Sequence, residues 1–193
     1  RLLEKIDAGS VADDAWVKSL ASKYKVVTDN KDILDEDDIE KLKRRVDIVP
    51  PSLALAQAAE ESGWGTSRFA VTGNSLFGQW DFSGNGLKPE KQRQNLGNYG
   101  IAIFDTPQDS VDAYMLNLNT HNAYRKLRNK RAQMRTTGKQ PTGWELAKTL
   151  DKYSERGQGY IKSLHSIMRY NHLATTDEAY LWDKGVIVVT PAP

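Results

Sequence analysis

Residues Ala54 to Gly65 read A-L-A-Q-A-A-E-E-S-G-W-G, and the reading of this stretch decides the fold. Pro50 and Pro51 precede it, and proline suits the first turn of a helix, where its missing N–H has no partner to lose. Leu53, Ala54, Leu55, Ala56, Ala58 and Ala59 make that helix apolar almost all round, which predicts burial. Gly63 takes positive φ without steric cost and is the natural stop, so the helix ends at Glu61 or Ser62. A helix C-terminus carries partial negative charge, and a carboxylate placed there resists ionisation. Burial pushes the same way. A carboxylic acid still protonated near neutral pH is what general acid catalysis uses. At about 100° per residue, Leu53, Gln57 and Glu61 share one face and Glu60 lies off it. The two glutamates are therefore predicted to have different surroundings. The competing reading of the spacing alone is a pair of solvated carboxylates at a helix end.

Glu61-Ser62-Gly63-Trp64-Gly65, followed by Asn74-Ser75-Leu76-Phe77-Gly78, resembles the active-site signature of the bacterial peptidoglycan N-acetylglucosaminidases of glycoside hydrolase family 73. The longer run from Val49 to Ala70 most resembles the Bax-type members of that group, relatives of the flagellar peptidoglycan hydrolase domain. The likeness extends from Trp16 to Leu173. It implies a mainly α (α+β) fold, a lysozyme-like helical domain with a small β-lobe and a cleft between them. It implies that Glu61 is the catalytic acid, and that the bond cut is the β-1,4 linkage after N-acetylglucosamine in peptidoglycan. A lytic transglycosylase on the same polymer and a non-catalytic glycan-binding module are the alternatives.

Glycoside hydrolysis commonly uses a second carboxylate, at about 5–5.5 Å from the acid for retention or about 6.5–9.5 Å for inversion. The resemblance puts that group in the β-lobe, where Glu90 is the first choice and Asp81 the second; the substrate's own acetamido group is the other option. Tyr153 and Tyr160 match two tyrosines of the family pattern, with glycine between them where an acidic or proline residue is usual. Tyr153 is expected to orient a water or the acetamido group. Trp64, Phe77 and Trp80 are candidates for stacking on a sugar face, against a competing core role that is stronger for Phe77 and Trp64. Asn74 and Tyr160 complete the expected substrate contacts. Asn117 to Tyr124 also matches the Bax-type pattern and offers His121 to the cleft, although a lone histidine is more often structural. No cofactor is implied, because carboxylates can meet the charge of an oxocarbenium ion.

The 193 residues suit one main domain with small additions: a helical segment over 1–48, the glucosaminidase-like domain over 49–173 with its β-lobe at about 79–105, and an extension over 174–193. Hydrophobic residues make up 39% and charged residues 27%, enough for a core. No run approaches the ~20 apolar residues of a membrane span. The chain opens on Arg1 and not Met, which reads as a fragment or a processed form. Action on an envelope polymer implies a periplasmic or envelope location, on the resemblance alone. A monomer is expected. There is no cysteine, hence no disulfide or thiolate metal site. Asp29 begins an acidic run, but Lys31 and Leu34 break the calcium-loop pattern, so no metal is expected. His121 has no partner at zinc spacing, and His165 and His172 are seven apart.

The formal charge of +2 conceals a basic block, because residues 121–172 alone carry 12 basic and 3 acidic side chains. Such a block suits an anionic partner or a solvated helix face. No nucleic-acid motif accompanies it, so nucleic acid is not expected as a partner. Along the chain, Arg1 to Ile6 reads as the tail of a helix broken by Gly9-Ser10. Asp14 and Asp35 read as helix N-caps. Tyr99 to Phe104 reads as a strand. Thr106-Pro107-Gln108-Asp109 reads as a capped helix start, followed by a Val111, Tyr114, Met115, Leu118 stripe. Basic, short and C-terminal helices are predicted over 124–135, 144–150 and 160–170. Everything past Leu173 is expected to lie outside the core, with Val186 to Val189 an edge strand or tail.

Overall fold

A computed structural model describes residues 14–27, 33–90, 97 and 99–179. The expected helix tail at Arg1–Ile6, its break at Gly9-Ser10, the acidic run at Asp29 and Lys31, and the edge strand or tail at Val186–Val189 lie outside the described residues.

The structure is mainly α, as the resemblance implied. Helices α1 (Ala15–Lys23), α2 (Glu36–Arg45) and α3 (Pro51–Ser62) are followed by short α4 (Arg68–Gly73). Strands β1 (Trp80–Asp81) and β2 (Gly100–Ile101) come next, then α5 (Pro107–Thr120), α6 (Arg125–Thr136), α7 (Gly143–Ala147) and α8 (Gln158–Tyr170). Short 3-10 segments occupy Asn122–Tyr124 and Leu173–Glu178.

The predicted caps are present. Asp14 accepts from the amides of Trp16 and Val17, and Asp35 and Asp38 form a reciprocal capping box. Thr106 and Asp109 form another at the start of α5, with Pro107 at its first turn. Among the described residues, the β-lobe has two short strands. β1 and β2 pair antiparallel, Trp80 against Ile101 and Asp81 against Gly100, and Leu87 adds one bridge to Ile101. The predicted strand over 99–104 shortens to two residues because Phe104 turns away, donating its amide to the Gly73 carbonyl. Gly100 is required by this close approach: a Cβ there would sit 2.7 Å from the Gly86 carbonyl carbon.

Two apolar clusters organise the helices. The larger holds Leu53 and Ala56 of α3, Tyr114 and Leu118 of α5, Leu127 of α6, Leu146 of α7, and Tyr160 and Leu164 of α8. The smaller holds Val17, Ala21, Val26, Leu34 and Leu42 under α1 and α2. α3 packs against α7, α8 and the last 3-10 segment, which explains its apolar surface on nearly every side.

The chain beyond Leu173 does not leave the body at once. Asp177 accepts from the Ser52 amide (2.8 Å), the Ser52 hydroxyl (2.8 Å) and the Gly143 amide (2.8 Å). One carboxylate thus caps the first turns of both α3 and α7, where exposed N–H groups and the helix dipole favour an anion. Residues 174–178 thus pack against α3 and α7, although none of them is buried in the core.

The basic block is also reinterpreted. Arg128 and Arg131 are buried and donate to main-chain carbonyls: Arg128 to Leu118 and His121, Arg131 to Arg44, Asp47 and Ile48. Arg131 also donates to the Asn119 side chain, and its Nε lies 3.3 Å from the Asp47 carboxylate. Burial lowers both guanidinium pKa values to about 10. Arg135, Lys126, Lys148 and Arg156 pair with Asp47, Asp151, Glu145 and Glu60. Much of the positive charge therefore holds the helices together.

Candidate active site

The site grows from the last turn of α3. Gly63 ends the helix at φ 56°, and Trp64 and Gly65 follow at φ 58° and 77°. Three successive left-handed residues make a tight reversal, fixed by Ser62, whose hydroxyl donates to the Ala58 carbonyl (2.6 Å) and accepts from the Gly65 amide (2.7 Å). The reversal leaves Glu61 on the inner face of the helix end and throws the Trp64 indole outward, 64% exposed.

Glu60 and Glu61 separate as the helical period predicted. Glu60 pairs with Arg156 and accepts from the Ser163 hydroxyl at 2.7 Å. Glu61 instead meets tyrosines. Burial raises its pKa above the ordinary glutamate value; the Tyr160 hydroxyl opposes that rise, Glu60 adds to it, and Arg156 offsets part of it. Glu61 in turn acts electrostatically on Tyr114, Tyr124, Tyr153 and Tyr160. Gly78 faces the carboxylate from the lobe side: a Cβ there would stand 3.6 Å from Glu61 Oε2.

Behind Glu61 runs a buried chain of polar groups. Tyr114 donates its hydroxyl to Gln57 Oε1 at 2.7 Å, and Gln57 Nε2 donates to the Tyr160 hydroxyl at 2.9 Å. The Tyr160 hydroxyl and the Glu61 carboxyl group act on each other electrostatically. Gln57 sits one turn before Glu61 on the same face of α3. Tyr153 stacks on Tyr160 with centroids 5.5 Å apart and tilts against Tyr124 at 5.7 Å; its hydroxyl donates to the Phe77 carbonyl at 3.3 Å.

The sequence candidates divide. Glu61, Tyr153 and Tyr160 come together. Tyr160 is buried, so the expected direct substrate contact is corrected: its ring lies in the core and its hydroxyl accepts from Gln57 Nε2. Phe77 is 3% exposed and stacked on Tyr114 at 3.8 Å, so its face is covered and it is a core residue, not a sugar platform. Asn74 is corrected too. It caps α4 at φ 49° and donates its side chain to the Phe104 and Asp105 carbonyls, tying the lobe's exit to the helix. His121 is exposed, ends α5, and accepts from the Ala123 amide, a capping role. Asp81 is no open base: Ser83 donates to it from amide and hydroxyl and Gly86 from its amide, which lowers its pKa. Glu90 is exposed at the edge of the described lobe.

Trp80 is 48% exposed and braced by Tyr99 at 5.4 Å and Phe82 at 6.0 Å. Phe82, 64% exposed, was missed, as were Tyr114 and Tyr124 as neighbours of Glu61. An exposed aromatic two residues from Trp80 was the available signal for Phe82. The buried tyrosines gave none, since they lie on separate helices.

A cavity of about 470 Å³ opens elsewhere, lined by Ser52, Trp144, Arg169, His172 and Asp177 among others. Ser52 and Glu61 are nine residues apart on α3, about two and a half turns, so this cavity lies toward the opposite side of the helix. Among the described residues, no helix is long and apolar enough to cross a membrane.

Residues 36–173 match the glucosaminidase family, described as mannosyl-glycoprotein endo-β-N-acetylglucosaminidase. Over 163 residues, 84% of this chain, the sequence is 36% identical to Protein bax of Escherichia coli strain K12. The chain spans 57% of that relative's length. No solved structure matches the chain. The match covers most of the helical body and both sides of the Glu61 site, and the chain belongs to the glucosaminidase family.

Proposed function

We propose that this chain is an endo-β-N-acetylglucosaminidase that hydrolyses the β-1,4 bond after N-acetylglucosamine in peptidoglycan. The observation that carries the reading is Glu61: a carboxyl group with a pKa raised by burial, set among tyrosines and faced by Gly78, while its neighbour Glu60 is held by Arg156. Glu61 protonates the departing glycosidic oxygen. Tyr153 keeps an acceptor oxygen while donating to Phe77, and it accepts from the acetamido N–H or a water. Trp64 and Trp80 supply exposed rings for sugar faces, with Phe82 beside Trp80. The occupied oxygens of Asp81 favour the substrate's own acetamido group, or Glu90, as the group that supports attack at the anomeric carbon. The place of action is the cell envelope.

A lytic transglycosylase, which uses one glutamate and no water, is the second reading, favoured by the same lack of an open Asp81. Digestion of purified peptidoglycan by the protein and by Glu61→Gln, with products reduced and weighed, tests both. Fragments ending in reducing N-acetylglucosamine, absent with the variant, support the hydrolase. Anhydro-muramic ends move the reaction to the transglycosylase. Release that is equal with the variant removes Glu61 from the chemistry.

A further inference from the structure

Arg156 closes the loop that carries Tyr153, and Gly157, at φ 50°, turns the chain into α8 directly after it. Its guanidinium reaches back to α3. Nη1 donates to Glu60 Oε1, while Glu60 Oε2 accepts from the Ser163 hydroxyl at 2.7 Å. The Glu60 side chain is 17% exposed and that of Arg156 56%, so a sheltered carboxylate pins an open cation. A guanidinium holds five N–H donors in one plane, and Glu60 takes only the Nη1 side. Among the described residues, Nε and Nη2 have no partner. These two form the edge that grips a carboxylate in a forked contact, as Arg135 does with Asp47.

The free edge stands beside the acid, because Glu60 and Glu61 are consecutive. Lys152 and Arg125, both exposed, adjoin Tyr153 and Tyr124 in sequence. The carboxylates close by in sequence are Asp151, held by Lys126, and Glu155. The lobe side instead presents the exposed rings of Trp80 and Phe82. Peptidoglycan is divided in the same way: neutral N-acetylglucosamine alternates with a sugar whose lactyl group bears a stem peptide with free carboxylates. We propose that Arg156 is a specificity residue that takes a stem-peptide carboxylate on its Nε–Nη2 edge, so that peptide-bearing glycan is selected over a neutral N-acetylglucosamine polymer. The substrate named here rests on the glucosaminidase reading. Glu60 offsets the charge of Arg156 at a distance, so selection works through a directed contact at short range.

The test compares soluble peptidoglycan strands that carry stem peptides with the same strands after their carboxylates are converted to methylamides. Binding is measured by calorimetry in a Glu61→Gln background, where cutting does not intrude. Arg156→Ala is expected to weaken binding of the anionic strands about ten-fold, the worth of one partly exposed charge-assisted contact, and to leave the amidated strands within about two-fold. Arg156→Lys keeps the charge without the fork and should recover only part of the loss. An exposed ion pair contributes little to stability, so these variants fold. With Glu61 intact, the same ratio should appear in KM, with kcat changed no more than a few-fold. A merely structural pair would affect both kinds of strand alike. Equal losses on the two, or no loss on the anionic strands, overturns the proposal. Carboxylate-dependent binding in a protein that cuts no glycan leaves the role of Arg156 in place and removes the glucosaminidase reading. Cutting that ignores amidation and Arg156→Ala does the reverse.

Discussion

Glu60 and Glu61 are consecutive on α3, yet one is held by Arg156 and Ser163 and the other is buried among tyrosines. The difference comes from helical geometry alone, since adjacent side chains diverge by about 100°. Glu60→Gln is expected to leave glycan release within a few-fold of the parent. It removes a partly exposed ion pair, worth about 1 kcal/mol or less. Glu61→Gln is expected to lower release by roughly 10²- to 10⁴-fold, the range for a general acid. Matched turnover assays on the two variants check this; equal losses would contradict it.

Activity should fall as pH rises through the Glu61 pKa, because the acid must carry its proton. That limb should lie above the ordinary glutamate value, since burial raises the pKa. The linked stability has a definite sign. A raised folded pKa contributes stability that is present below the unfolded pKa and lost as pH rises through the folded one. Glu61→Gln should therefore melt higher than the parent at neutral pH, with the gap closing below the unfolded glutamate pKa of about 4.3. Thermal melts at a series of pH values give the answer.

Trp64 holds φ at 58°, a conformation that costs a non-glycine residue about 1–2 kcal/mol. Its indole is largely exposed and contributes little to the core. Trp64→Gly should raise stability by about 1 kcal/mol and weaken sedimentation with insoluble peptidoglycan. Weakened binding without a stability gain would mean the indole packs more than its exposure implies.

Gly143 sits where α7 presses on α3. A Cβ there would lie 2.1 Å from Ser52 Oγ and 2.6 Å from the Leu53 amide nitrogen. The Leu53 nitrogen is backbone and cannot step aside. Gly143→Ala should cost about 3 kcal/mol or more, at or beyond the upper end for overpacking. Asp177→Ala should cost about 1–2 kcal/mol through the loss of two helix caps. Urea titrations of both variants measure these losses, and a fragment ending at Leu173 should be weakened at least as much as Asp177→Ala.

The helix around Glu61 was legible because its signals are local: two prolines, an apolar run broken only by Gln57 and a glycine stop within fifteen residues. The same held for the caps at Asp14, Asp35 and Thr106. The surroundings of Glu61 were not legible. The family pattern pointed to Tyr160, but Tyr114 and Tyr124 come from other segments, and nothing in the sequence places them beside Glu61. Asn74 and Phe77 stand inside a recognisable motif, yet a motif does not distinguish a residue that builds the site from one that touches a ligand. Asp177 escaped notice because a single aspartate in a polar tail has no period to betray it.

Arg131 gives the two apolar clusters a common fate. Its guanidinium is fully buried and reaches the Arg44 carbonyl at the end of α2, the Asp47 and Ile48 carbonyls in the linker to α3, and Asn119 on α5. Parting the N-terminal helices from the body would break all of these bonds and its ion pair with Asp47 together. The small cluster under α1 and α2 therefore has no independent melting transition. Calorimetry should record one peak, and the cleft wall and the N-terminal helices should appear and vanish together.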